Sequence, residues 1–154
     1  MASISVTITN VIHLLFAGLW TGSVLFMTYG VLPVAGKGSI DTDPFADITS
    51  RLLTLSRASA LLMFLTGGYL VSGSGYTAKS LTGTTGGYLV IVMIVLWLAL
   101  AGLVEVGTSK ISDGLAERKL REPANDARPF FLAASVVALG LLVIAGLLLS
   151  GVGA

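Results

Sequence analysis

The chain has 154 residues, of which 55% are hydrophobic and only 11% are charged. A soluble domain needs a larger charged surface to cover its apolar core, so this composition excludes a soluble globular protein and predicts an integral membrane protein. The net charge of +1 gives no reason to expect a nucleic-acid partner, and the absence of cysteine excludes disulfides, thiolate catalysis and cysteine-ligated metal sites.

Four segments are long and apolar enough to cross a bilayer as helices, because a ~30 Å hydrocarbon core needs about 20 residues. They are residues 6–32, 52–71, 86–106 and 129–150. The first ten residues contain no Lys or Arg, and the apolar run after them is too long for a signal peptide. We therefore predict an all-α protein, a four-helix transmembrane bundle that forms one domain over residues 1–154.

Several residues indicate where these helices begin and end. Pro33 is the expected end of the first helix, because proline cannot donate a further backbone hydrogen bond. Asp43 followed by Pro44 is typical of an N-cap with proline in the first turn, so the second helix should begin before its apolar part. Helix-forming residues after the third apolar segment predict that this helix continues towards Pro123.

The distribution of charge predicts the orientation of the bundle. Eight of the nine Lys and Arg residues lie towards the loops that join helices one to two and three to four. Only Lys79 lies in the connection between helices two and three. The positive-inside rule then predicts a multi-pass protein of the cell membrane, with both charged loops in the cytoplasm and both termini on the outer side.

Small residues four positions apart predict close packing between helices. Three segments carry this pattern: Gly18 with Gly22, Gly68 with Ser72, and Ala134 with Ala138. The alternative is that these residues reflect only the general enrichment of glycine in membrane helices. Taken together, the three pairs favour a compact bundle.

His13 is the only histidine, and it lies in an uncharged run that extends from Thr7 to Gly36. It lies about 9–10 Å from the start of the first span, a depth at which ionisable side chains normally face the bundle interior. Trp20 comes two turns later on nearly the same face. Two interpretations remain open: a neutral histidine that hydrogen-bonds across helices, or a metal ligand, haem ligand or proton-handling group.

Any soft metal ligand besides His13 must be a thioether, which suits Cu(I). The methionines are Met1, Met27, Met63 and Met93. Met93 lies at about the same depth as His13, so these two residues are the candidate metal or haem ligands. Trp20, Tyr69 and Thr66 are the candidate lining residues. A methionine in a helix is, however, more often a core residue than a ligand.

Arg57 and Glu105 are charges that lie inside or at the edge of apolar segments. Helices two and three should be antiparallel neighbours, which brings both groups to similar depth and predicts an ion pair. The alternative is that Arg57 extends to the lipid headgroups. The sequence contains no catalytic motif, so it gives no indication of an enzyme.

The stretch HLLFAGLWTGSVLF, with VLP shortly after it, resembles the first helix of the copper-resistance D (CopD-like) family. His13, Trp20 and Gly22 carry this resemblance, and Phe26 and Pro33 add to it. A related group is the HemJ-type protoporphyrinogen oxidases, four-helix proteins in which a similar histidine is associated with haem.

The resemblance implies that the protein handles copper or another small metal species at the membrane, with His13 as the ligand. The HemJ-type relatives imply instead a membrane redox protein that binds haem b. A third interpretation also stays open, in which the chain is a non-catalytic small subunit of a larger membrane complex or a homo-oligomer.

Overall fold

The computed structural model describes residues 3–151, which form helices and no strand. The helices are α1 (Ile4–Phe26), α2 (Leu32–Gly36), α3 (Thr42–Gly73), α4 (Ala78–Leu81), α5 (Thr85–Ala116) and α6 (Arg121–Leu149). A π-helical turn (Met27–Val31) joins α1 to α2. Four stretches are long and apolar enough to span a membrane: Ile4–Gly36, Thr42–Gly73, Thr85–Ala116 and Arg121–Leu149. The prediction of an all-α, four-helix membrane protein is confirmed.

The four spans form a bundle in which neighbours in sequence are neighbours in space. The helix α1 packs against α3, α3 against α5, α5 against α6, and α6 returns to α1 and α2. Since the spans alternate in direction, both chain ends and the α3–α5 connection lie at one end of the bundle, here called the termini end. The α2–α3 and α5–α6 connections lie at the other end, called the loop end.

The first span does not end at Pro33, so that prediction was wrong. The helix continues to Gly36, and a π-helical turn lies immediately before the proline. In this turn the N–H of Leu32 donates to the carbonyl of Met27, five residues earlier. Proline has no N–H, and its ring crowds the preceding turn. The wider π turn accommodates both effects, so the chain remains helical.

The second span begins earlier than its apolar segment, as expected, but its first residue is Thr42 and its N-cap is Asp41 rather than Asp43. Pro44 falls within the first turn, where a missing N–H leaves no carbonyl unpaired. The helix has 32 residues and is about 48 Å long. It therefore extends beyond a ~30 Å hydrocarbon core, which explains why hydropathy alone placed its start too late.

The third span ends at Ala116 and does not reach Pro123. The chain reverses at Arg118, whose φ of 58° lies in the left-handed region. The last span then begins at Arg121 rather than at the predicted Pro129, so Pro123 lies in its first turn. Polar residues at the loop end thus belong to the helices, and the corner between them is short.

Lys119 in this corner forms two exposed salt bridges. Its Nζ lies 3.1 Å from a carboxylate oxygen of Glu117 and 3.3 Å from one of Glu122. The two carboxylates raise the pKa of Lys119 above its ordinary value. Because all three side chains are exposed, these pairs contribute little to folding stability.

The closest helix packing occurs between α5 and α6. Ala134 and Ala138 of α6 have no exposed surface. On the facing helix, a Cβ added to Gly107 would lie 2.7 Å from Cε2 of Phe131. Small residues on both helices are therefore needed for this contact.

The three glycines in the small-residue patterns of the first two spans do not have this role within the chain. Gly18, Gly22 and Gly68 are exposed, and a Cβ at any of them would meet nothing within 4 Å. The prediction that Gly18 and Gly22 bring a neighbouring helix of the same bundle close was wrong. The spacing of small residues marks a smooth helix face, but it does not show which side of the helix faces its neighbours.

We expect the Gly107→Ala variant to be less stable than a Gly→Ala variant without a clash by about 1–3 kcal/mol, because the new methyl group overlaps Phe131. Gly146→Ala on α6 is the matched control, since nothing lies within 4 Å of a Cβ there. The control gains helix propensity of up to about 1 kcal/mol without a clash. Unfolding in detergent measures both, and equal stability of the two variants would contradict this account of α5–α6 packing.

The orientation in the membrane stays a prediction, which cysteine labelling can test because the chain has no native cysteine. We expect a membrane-impermeant thiol reagent, applied to intact cells, to modify Lys79→Cys but not Lys119→Cys. The two positions lie in connections at opposite ends of the bundle. Modification of Lys119→Cys from outside would reverse the proposed topology.

Candidate functional site

A cavity of about 240 Å³ lies at the termini end of the bundle. All four spans contribute to its wall, as does the start of the α3–α5 connection. Its lining residues are Val6, Asn10, His13, Leu14, Gly67, Leu70, Val71, Ser74, Tyr76, Val90, Met93, Ala145, Leu148 and Leu149. None of these side chains is a Lys, Arg, Asp or Glu. We call this space the terminal cavity.

His13 lies in the wall of the terminal cavity and is only 8% exposed. Its Nδ1 lies 2.6 Å from Oγ1 of Thr66 on α3. The structure therefore orients the ring towards a neighbouring helix and not towards lipid, as an ionisable side chain at this depth requires.

The hydrogen bonds of Thr66 favour one tautomer of His13. The Thr66 hydroxyl donates its single hydrogen to the carbonyl of Leu62, at 2.6 Å. It can then only accept from the ring, so Nδ1 carries a hydrogen. The remaining nitrogen, Nε2, keeps its lone pair and has no hydrogen-bond partner among residues 3–151. This tautomer, assigned from the network, leaves Nε2 able to bind a metal ion or accept a proton.

Gly67, next to Thr66, gives the imidazole ring its space. A Cβ at this position would lie 3.3 Å from Cε1 of His13, the ring atom between the two nitrogens. That distance is tighter than an ordinary van der Waals contact, so a larger residue would press on the ring. Sequence reasoning missed Gly67, because the contact depends on the register between α1 and α3.

A second, smaller space lies deeper in the bundle and has a volume of about 10 Å³, enough for about one water molecule. Its lining residues are His13, Ala17, Trp20, Thr21, Met63, Met93, Leu100, Leu141, Leu142 and Ala145. We call this space the inner void. His13, Met93 and Ala145 line both spaces and form the wall between them. Met63 lines the inner void as well, so His13 and Met93 are the candidate ligands that reach both spaces.

Trp20 lies at the far side of the inner void and is almost fully buried. Its Nε1–H donates to Oγ of Ser56 on α3 at 2.8 Å. The second tryptophan, Trp97 on α5, donates from Nε1 to the carbonyl of Ala60 at 3.2 Å. Both indoles thus hold α3, and Trp20 closes the void with an apolar ring whose polar atom is already satisfied.

The lining of the site differs from the sequence prediction at two residues, Tyr69 and Asn10. Tyr69 is 46% exposed and lines neither space; its hydroxyl instead donates to Oγ of Ser5 at 3.1 Å. Asn10, which sequence reasoning missed, does line the terminal cavity one turn before His13. The spacing of three residues between Asn10 and His13 was the available signal, since it places both on one helix face.

The remaining predicted residues lie elsewhere. Arg57 and Glu105 pair with each other on the outside of the bundle between α3 and α5. Met27 is buried near the loop end, and Met1 lies outside the described residues. Within residues 3–151 no three His, Cys, Asp or Glu side chains come close enough to hold a metal ion together. The side chains that line the terminal cavity and the inner void offer only neutral nitrogen, sulfur and oxygen donors.

Comparisons of the chain with protein-family models, with curated proteins and with solved structures found no match. The geometry of the site is therefore the basis on which its chemistry is assigned.

We expect the imidazole of His13 to carry its proton on Nδ1. Since the chain has one histidine, ¹⁵N NMR of histidine-labelled protein shows one pair of ring signals, and their shifts distinguish the tautomers. Thr66→Val removes the acceptor and should abolish the preference, whereas Thr54→Val on the exposed face of α3 should leave it unchanged. A wild-type ring protonated on Nε2 would contradict the assigned hydrogen-bond network.

Proposed function

We propose that this membrane protein handles copper, and that Cu(I) is bound between the terminal cavity and the inner void by Nε2 of His13 and the thioether of Met93. The observation that carries this proposal is the shared position of these two side chains in the wall between both spaces. An imidazole nitrogen and a thioether sulfur form a donor pair that suits Cu(I).

The absence of charge around the terminal cavity supports a soft, singly charged ion over a hard divalent one. Ca²⁺ and Mg²⁺ require several oxygen ligands, usually with carboxylates among them. No carboxylate lines either space, and no Lys or Arg is present there to repel a cation. The resemblance of the first helix to the CopD-like family is a separate argument for copper among the soft metals.

The size of the terminal cavity argues against haem as its occupant. Its volume of about 240 Å³ lies below the roughly 300–1,000 Å³ that is usual for sites of cofactors and drug-sized ligands. The chain also has one histidine, so two histidine ligands to one haem would have to come from two chains.

Titration of the purified protein with Cu(I) against a chromophoric Cu(I) chelator tests the proposal. We expect one bound Cu(I) per chain, and affinity weakened by about tenfold or more in both His13→Ala and Met93→Leu. Met27→Leu is the matched control, because Met27 is also buried but lines neither space. It should bind as the wild type does.

The other outcomes decide between the alternatives. Unchanged affinity in His13→Ala would overturn the assignment of the site. A visible Soret band that disappears in His13→Ala would replace copper by haem. A colourless protein without Cu(I) affinity would contradict both ligands, and the non-catalytic subunit would be the remaining interpretation.

A further inference from the structure

Arg57 and Glu105 form the one ion pair between spans that the described part of the chain contains. Nε of Arg57 donates to Oε2 of Glu105 at 3.2 Å, and Nη2 donates to Oε1, so the pairing is bidentate. The two side chains are nevertheless 64% and 49% exposed. The pair therefore lies on the outer surface of the bundle, where lipid would surround a single copy.

The pair lies in the half of α3 and α5 nearer the loop end, close to the edge of the apolar segments. At about 1.5 Å per residue, Arg57 lies roughly 24 Å from the end of α3 at Gly73, and Glu105 roughly 30 Å from the start of α5 at Thr85. Side chains on a helix lean towards its N-terminus. Since α5 begins at the termini end, Glu105 leans into the hydrocarbon core to meet Arg57. Ionisable groups in a membrane span normally face protein or water instead.

The surface around the pair is apolar and has room for a neighbouring helix. Leu61, Phe64 and Leu98 are exposed on the same side of α3 and α5. Gly102 lies one turn from Glu105, and a Cβ there would meet nothing within 4 Å. We call this surface, comprising Arg57, Leu61, Phe64, Leu98, Gly102 and Glu105, the α3–α5 face.

We propose that the α3–α5 face binds a second copy of this chain in a two-fold dimer. Two copies in one bilayer have the same orientation, so the two-fold axis that relates them runs along the membrane normal. Groups at equal depth in the two copies therefore meet at the interface. Arg57 then faces the partner's Glu105, while Glu105 faces the partner's Arg57. A two-fold interface requires this kind of self-complementary surface.

A second copy also replaces lipid by protein around four charges of alternating sign. Each charge gains an additional partner of opposite sign in place of hydrocarbon, where an incompletely surrounded ion pair is costly. A partner of another sequence would need its own acid and base at the same depth, whereas this chain already supplies both. The dimer does not depend on the ligand bound by His13.

Charge inversion separates contacts between copies from the contact within one copy. The single variants R57E and E105R each give a face with charges of one sign, so each should associate with itself at least about tenfold more weakly than the wild type. A mixture of the two variants should recover the dimer, because the acidic face of one then meets the basic face of the other. The double variant R57E/E105R should also be dimeric.

Native mass spectrometry from detergent measures these states, and cross-linking tests them in membranes. A mixture of Leu61→Cys and Leu98→Cys proteins should form disulfide-linked dimers, because α3 of one copy faces α5 of the other. Val136→Cys, also exposed and at similar depth but on α6, should not. Wild-type protein that is monomeric in detergent would overturn the proposal, as would equal cross-linking of Leu61→Cys with Leu98→Cys and with Val136→Cys. So would a folded but monomeric R57E/E105R variant.

Discussion

Two indoles, one buried and one half-buried, hold α3 between its neighbours, and the geometry of the site depends on that placement. Trp20 reaches α3 from α1 and Trp97 reaches it from α5, and each donates one hydrogen bond to it. In hydrocarbon no water can replace a lost partner, so an unpaired N–H would be costly. These two bonds restrict how far α3 can slide along either neighbour. The same register places Thr66 opposite His13.

The bundle separates its neutral polar groups from its charged ones. Hydroxyls, indoles and the imidazole lie inside, where nearly all of them have partners; for example, Ser135 donates to Thr28 at 2.9 Å. Among side-chain nitrogen and oxygen atoms with almost no exposed surface, only Oγ of Ser59 has no partner in the described part of the chain. Apart from Lys79 in the α3–α5 connection, the charged side chains lie at the loop end or on the α3–α5 face. The interior can thus hold a polar ligand without a strong electric field from fixed charges.

Much of the fold could be predicted from hydropathy, because span length and apolar content are imposed by the bilayer. The helix ends could not, since the polar extensions of α3 and α6 lie outside the segments that hydropathy detects. The depth of His13 and Met93 could be estimated from helical rise alone. The roles of Gly67 and Ser56 could not, because both depend on the register between two helices. Gly18 and Gly22 failed as packing residues for a related reason: their spacing defines a stripe, but not its direction.

The π-helical turn before Pro33 separates the first span into two parts whose faces are set independently. Each residue of an α-helix turns the chain by about 100°. The π-helical turn takes up one residue more than a regular turn. The residues after the turn therefore occupy the helix faces that they would have in a regular helix shorter by one residue. The α1 part presents His13 and Trp20 to the bundle, and the α2 part presents Leu32 and Ala35. Loss of one residue from Met27–Val31 would convert the turn to regular helix and preserve both faces. Loss of one residue between His13 and Trp20 would rotate one of these two side chains away from the interior.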